Sequence, residues 1–192
     1  MLGRALLLVA ALGLPTLPVQ AQETSPLSGE ARAIVKSFFA SLKGELVAAL
    51  ESGGPVAAIG VCNERAPQLA DAAAAAAGGG WQVGRTSLKL RNPDNAPDAW
   101  EATVLRNFAA RAAAGEELQQ VEFAAVVDQQ GRRTFRYMKA IPTAEKPCLA
   151  CHGKALAPQV QERLAELYPA DQATGYSAGE LRGAFTLAKP LD

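Results

Sequence analysis

Val121-Glu122-Phe123-Ala124-Ala125-Val126-Val127 and Thr134-Phe135-Arg136-Tyr137-Met138-Lys139-Ala140-Ile141 are two β-prone runs, separated by Asp128-Gln129-Gln130-Gly131 and two arginines. Alternating apolar residues on either side of a polar, glycine-ended turn predict an antiparallel hairpin. Upstream the pattern is helical. Ser28 is expected to cap a helix to about Glu51, because Ile34, Val35, Phe38, Phe39, Leu42, Leu46 and Leu50 follow helical spacing. Gln22 to Leu27 are expected as a short tail before it. Ser52-Gly53-Gly54 should break that helix, and Pro55 suits the first turn of the next. There Ile59, Cys62, Ala66 and Leu69 share one face, and Pro67 predicts a kink just after Cys62. The alanine run 72–77 should stop at Gly78-Gly79-Gly80.

Trp81 to Leu90 reads as a strand, and Asn92 to Pro97 as turn chemistry leading into a helix with Trp100, Val104 and Phe108 on its buried stripe. Pro158 to Leu167 reads as a further helix and Ala184 to Leu187 as a short last strand. Helices come first and antiparallel strands dominate the second half, so the fold class is α+β.

The composition sets limits. Nineteen basic and nineteen acidic residues cancel in a chain of 192, which removes the electrostatic case for nucleic acid or an anionic membrane. Apolar residues make up 49% but aromatics only 6%, an alanine-rich profile that argues against disorder. The start of the chain has Arg4, the apolar run Ala5 to Leu14, and Val19-Gln20-Ala21. This is the pattern of a secretory signal peptide over residues 1–21, cleaved after Ala21, since the run is too short to span a bilayer. The product is expected outside the cytoplasm, in a periplasm where the host has one, with no membrane span after cleavage. Cysteines there meet oxidising conditions.

Three cysteines and one histidine then carry the chemistry. Cys148-Leu149-Ala150-Cys151-His152 is C-x-x-C-H, the attachment pattern of c-type haem. Two thiols three residues apart reach the two vinyl groups of one porphyrin, and the adjoining His152 faces the iron. A redox C-x-x-C would instead follow the first strand of a βαβ unit. Cys62 would complete a zinc site of three cysteines and one histidine, and a Cys148–Cys151 disulfide is a further alternative. The expected cofactor is one covalent haem c. With His152 the sole histidine, the second axial position is open to Cys62, to Met138, to a lysine or tyrosine, to the terminal amine, or to water. Cys62 is the leftover cysteine, on an apolar helix face beside a proline.

Several segments in one order make the chain resemble a family of exported, PAS-like domains carrying a single c-type haem. The family is long catalogued as a domain of unknown function, and its members stand alone or serve as sensor regions of signalling proteins. The matching stretches are Ala58 to Cys62, Gly84 to Pro93 with Asn95 to Asp98, Tyr137 with Ile141-Pro142, Cys148 to Gly153, Tyr168-Pro169, Ala173 to Tyr176, and Leu181 to Ala184. The likeness spans about residues 28–190. It implies a central antiparallel sheet flanked by helices, with a long N-terminal helix. It also implies haem on Cys148 and Cys151, and His152 and Cys62 as the iron ligands.

Within the matching segments Arg85, Arg91, Arg182 and Tyr137 are candidate donors to haem carboxylates. Trp81 and Trp100 are expected as core rather than as electron relays. A thiolate ligand favours ferric iron and a low potential, and a neutral thiol is a poor ligand to ferrous iron. The expected role is a redox or gas sensor, with a small gas as a further ligand and a separate signalling or redox partner, since no signalling segment follows Asp192. An electron-transfer cytochrome is the alternative. Haem enzymes rank below both, because peroxide cleavage wants a distal acid–base group and no second histidine exists.

Overall fold

The computed structural model describes residues 20–191, with side chains from residue 26. The expected signal peptide, residues 1–21, falls almost wholly outside them. Helix α1 runs Gln20–Gly60 and is followed by a π-helical turn, Val61–Arg65, and by helix α2, Ala66–Ala77. Strand β1 is Gln82–Thr86, a 3-10 turn covers Pro93–Asn95, and helix α3 is Ala99–Ala113. The second half contains β2 (Glu122–Gln129), β3 (Arg132–Pro142), the single turn α4 (Leu149–His152), α5 (Pro158–Leu167) and β4 (Leu181–Pro190).

The helix breaks follow from glycine and proline. Within α1 only Gly54 leaves helical geometry, at φ 67° and ψ −165°, so the axis kinks where Ser52-Gly53-Gly54 predicts a break. Residues 22–27, expected as a tail, belong to the helix, and Ser28 lies inside it rather than capping it. After Cys62 the Ala66 N–H bonds to the Val61 carbonyl, five residues back, which is the π turn. Pro67 lacks the N–H that would continue the α-helical ladder there. Helix α3 opens with a capping box, in which Asp98 accepts from the Glu101 N–H and Glu101 accepts from the Asp98 N–H.

The four strands form one antiparallel sheet in the order β1-β4-β3-β2. Alternation along β3 and β4 sends side chains to opposite faces. Phe135, Tyr137, Phe185 and Leu187 join Phe38 and Trp81 in a core under α1 and α2. Met138, Ala140 and Ala184 join Val104, Leu105 and Phe108 under α3. A third apolar cluster joins Ile59 of α1 to Val160 and Leu164 of α5 and to Tyr168.

Two strand expectations need correction. Strand β4 spans Leu181–Pro190 and is central, paired with both β1 and β3, rather than a short segment over 184–187. Strand β1 stops at Thr86 instead of Leu90, because the Ser87 hydroxyl makes turn contacts with Lys89 and with the Arg182 carbonyl. No helix among the described residues is long and apolar enough to cross a membrane.

Candidate cofactor site

The C-x-x-C-H segment folds as one helical turn with Cys148 at its N-cap. The His152 N–H bonds to the Cys148 carbonyl at 2.9 Å and the Gly153 N–H to that of Leu149 at 3.0 Å. Cys148 and Cys151 therefore lie on neighbouring positions of one helical face. The chain after His152 is pinned by a bridge between Gly153 and Tyr176 and by a 2.9 Å bond from the Tyr176 N–H to the His152 carbonyl.

His152 Nδ1 lies 2.7 Å from the carbonyl oxygen of Ala173. A carbonyl only accepts, so Nδ1 holds the proton and donates it, leaving Nε2 as the nitrogen with the lone pair. Burial, then the nearby charges of Arg182 and Arg91, push the His152 pKa down to about 2, so the ring is neutral at ordinary pH. Arg182 Nε stands 3.3 Å from Nδ1 and 3.5 Å from Nε2, and of the two only Nε2 is free to accept. The Tyr176 ring meets the imidazole edge-on at 6.2 Å and lies beneath the cations of Lys89 and Arg182.

Cys62 lies in the same region, close enough for its charge to act on Cys151, Tyr168 and Arg85. It sits on the π turn, one helical turn beyond Ile59, and Ile59 shares a cluster with Cys151 and Tyr168. Cys151 Sγ is 4.0 Å from the Pro55 carbonyl. Burial pushes the Cys151 thiol pKa up; the charge of Arg91 opposes this, and those of Cys62 and Cys148 add to it. All three cysteines are free and half-buried. A cavity of about 320 Å³ opens beside Cys62, with Phe38, Ala66, Val83, Arg85 and Glu101 among its walls.

The four candidate donors part company here. Arg85, on edge strand β1, has no hydrogen bond or ion pair to any described residue; burial lowers its pKa, and Cys62 and Tyr168 are the groups whose charges oppose that. Arg182 lies against His152 and also donates to Ser87 Oγ at 3.0 Å. Arg91 is already committed: it forms a buried ion pair with Asp171 at 2.9 Å and donates to the carbonyls of Cys151 and Ala173 at 2.7 and 3.3 Å. It also lies beyond the strand.

Tyr137 does not reach the site. It lies across the sheet from β1, in the core under α1, and its hydroxyl donates to Glu122 at 2.7 Å. Met138 is fully buried in the opposite core, against α3. Trp81 is buried as expected, and Trp100 is partly buried beneath Arg136.

The zinc alternative loses its geometry, because among the described residues no group of three or more His, Cys, Asp or Glu side chains is arranged to hold a metal ion. Nor are Cys148 and Cys151 bonded to each other. Two participants carried no usable sequence signal. Asp171 is one acid in a polar loop, and the Ala173 carbonyl is invisible to any reading of side chains.

Comparison with known proteins adds two findings. A family model described as Tll0287-like matches residues 19–190. Among solved structures, the cyanobacterial heme-protein Tll0287 is similar at 25% identity and a TM-score of 0.59, with 89% of this chain and 96% of that chain covered. No curated protein matches the chain.

Proposed function

The chain belongs to the Tll0287-like family, and from that premise we propose that it binds one haem, attached through Cys148 and Cys151, and works as a redox or gas sensor. His152 and Cys62 would be the axial ligands. The observation that carries this reading is the His152–Ala173 hydrogen bond of 2.7 Å. It gives a neutral imidazole with its proton on Nδ1 and an unprotonated Nε2, which meets Arg182 Nε only at 3.5 Å, beside two free thiols three residues apart. Tll0287 is described as a heme-protein, and its chain and this one cover each other almost end to end.

The surrounding residues fit the group. Arg85 offers a guanidinium with no hydrogen bond or ion pair among the described residues, which suits a haem carboxylate. Arg182 and Lys89 add positive charge around His152 and Tyr176. Haem, when bound, supplies a one-electron iron couple and an axial position open to exchange. The protein's part is to hold His152 neutral and oriented and to present Cys62 from a π turn. Such a turn, followed by Pro67, lacks one α-helical bond, which supports a ligand that withdraws on reduction. We read the protein as exported to a periplasm and as non-enzymatic, with a separate partner receiving the signal.

An absorption spectrum tests this, taken on protein made in cells competent for c-type maturation: oxidised, dithionite-reduced, and reduced under carbon monoxide. Haem bands that shift with carbon monoxide are expected. Haem bands indifferent to it would make the protein an electron-transfer cytochrome. Absence of haem bands would overturn the reading.

A further inference from the structure

We propose that the buried Arg91–Asp171 pair is a positioning device that sets the hydrogen bond of His152, and through it the properties of the bound haem. This rests on the haem reading above.

The geometry is a closed set of contacts. Asp171 Oδ2 accepts from Arg91 Nε at 3.1 Å and Nη2 at 2.9 Å. Its other oxygen, Oδ1, accepts from the Ala173 N–H at 2.8 Å. The same Arg91 Nη2 donates to the Cys151 carbonyl at 2.7 Å and to the Ala173 carbonyl at 3.3 Å. The Ala173 carbonyl therefore has two donors, the Arg91 guanidinium and His152 Nδ1–H at 2.7 Å. The two side chains of the pair are 7% and 10% exposed, so solvent competes little for these contacts. One ion pair thus ties together the turn that carries the cysteines, the histidine beside it, and the loop that holds that histidine.

Two consequences follow. The bridge from Cys151 to Ala173 fixes the distance between His152 and its acceptor, so the ring cannot turn without breaking a buried contact. A carbonyl that shares a guanidinium is also a weaker acceptor for Nδ1–H. The imidazole then keeps less anionic character and pushes less electron density towards iron. Arg91 should therefore favour the reduced state, relative to a chain without it. A plain structural ion pair would hold the loop and do neither of these things.

The test uses the full exported chain with haem attached and compares Arg91→Gln, Arg91→Lys and Asp171→Asn with the parent. Two quantities are read: the midpoint potential, and the rate at which the His152 Nδ1 proton exchanges with deuterium by NMR. Arg91→Gln should lower the potential, with about a tenfold shift in the redox equilibrium (59 mV for one electron), and should speed exchange at least tenfold. Arg91→Lys keeps the charge but loses the forked reach, so exchange should still accelerate while the potential moves less. Asp171→Asn should accelerate exchange as well. This variant and Arg91→Lys keep the question answerable if Arg91→Gln does not fold. Haem-loaded variants with parental exchange rates overturn the inference and leave the haem reading standing. A parent chain that carries no haem overturns both.

Discussion

The ideal Cβ position of Gly183 lies 2.4 Å from the carbonyl oxygen of Thr86 and 3.1 Å from the Cβ of Ser87. Glycine is required there by close approach of backbone. Strand β1 ends at Thr86, and its continuation folds across β4 at Gly183. That crossing puts Ser87 Oγ 2.8 Å from the Arg182 carbonyl and brings Arg91 to the Cys151 turn. The architecture of the site therefore depends on a missing methyl group. Gly183→Ala should cost about 1–3 kcal/mol, the usual range for overpacking against groups that cannot move. Chemical denaturation of the haem-free protein measures it; parental stability would show that β1 and β4 can part without penalty.

The cysteines should separate by role. Cys148→Ala with Cys151→Ala should remove covalent attachment, read as loss of the haem mass increment in the intact protein. Cys62→Ser should leave that increment in place and change the ferric absorption spectrum, because in the proposed ligation it removes an iron ligand and no attachment thiol. An unchanged ferric spectrum would take Cys62 off the iron.

Arg85 is expected to serve the cofactor at some cost to the chain. It is a half-buried cation with no partner among the described residues, and burial alone lowers its pKa. Arg85→Met should modestly stabilise the haem-free protein, since a partly desolvated cation without a hydrogen-bond partner among the described residues is removed. The same change should weaken retention of haem in a variant lacking both attachment cysteines. A loss of stability without haem would mean that Arg85 is structural.

Tyr137 and Glu122 should give the stability a dependence on pH at both ends. Burial raises the pKa of Glu122, but hydrogen bonds from Arg32 and Tyr137 outweigh it and hold the carboxyl below its usual 4.5. A carboxylate with a lowered folded pKa contributes stability above the unfolded value and loses it as pH falls below about 4.5. Burial, then Glu122 as acceptor and as a nearby negative charge, raises the Tyr137 pKa above its usual 10.0. That contribution is complete below 10 and is lost as pH rises beyond it. Denaturation across pH should show both limbs. Glu122→Gln should flatten the acid limb by roughly 1 kcal/mol, and Tyr137→Phe should reduce the alkaline one, leaving the share of Tyr168, whose pKa burial also raises.

Much of the fold was legible because the deciding patterns are local. The alternating runs around Asp128 to Gly131 form the β2–β3 hairpin, with Gly131 at φ 79°. Pro158 opens a helix that ends at Leu167, and Gly54 and Gly78 interrupt helices where glycine was expected to. The tail and the central strand were less legible. Residues 22–27 lack an apolar stripe of their own yet continue α1, while Arg182, Lys189 and Pro190 disguise the ends of a strand whose pairing partners lie on two other segments.

What the sequence determined alone is the reactive set. Cys148, Cys151 and His152 fall on one helical turn because three- and four-residue spacing is a property of the chain itself. What only the tertiary structure decided is the state of each polar group around them. Arg85, Arg91, Arg182 and Tyr137 look alike as donors in the sequence. Arg91 is taken by Asp171, 80 residues away, Tyr137 by Glu122 across a strand pair, and Arg182 lies against His152, while Arg85 has no hydrogen bond or ion pair among the described residues. Hydrogen bonds and ion pairs depend on distances between segments far apart in the chain, and those distances exist only once the sheet has closed.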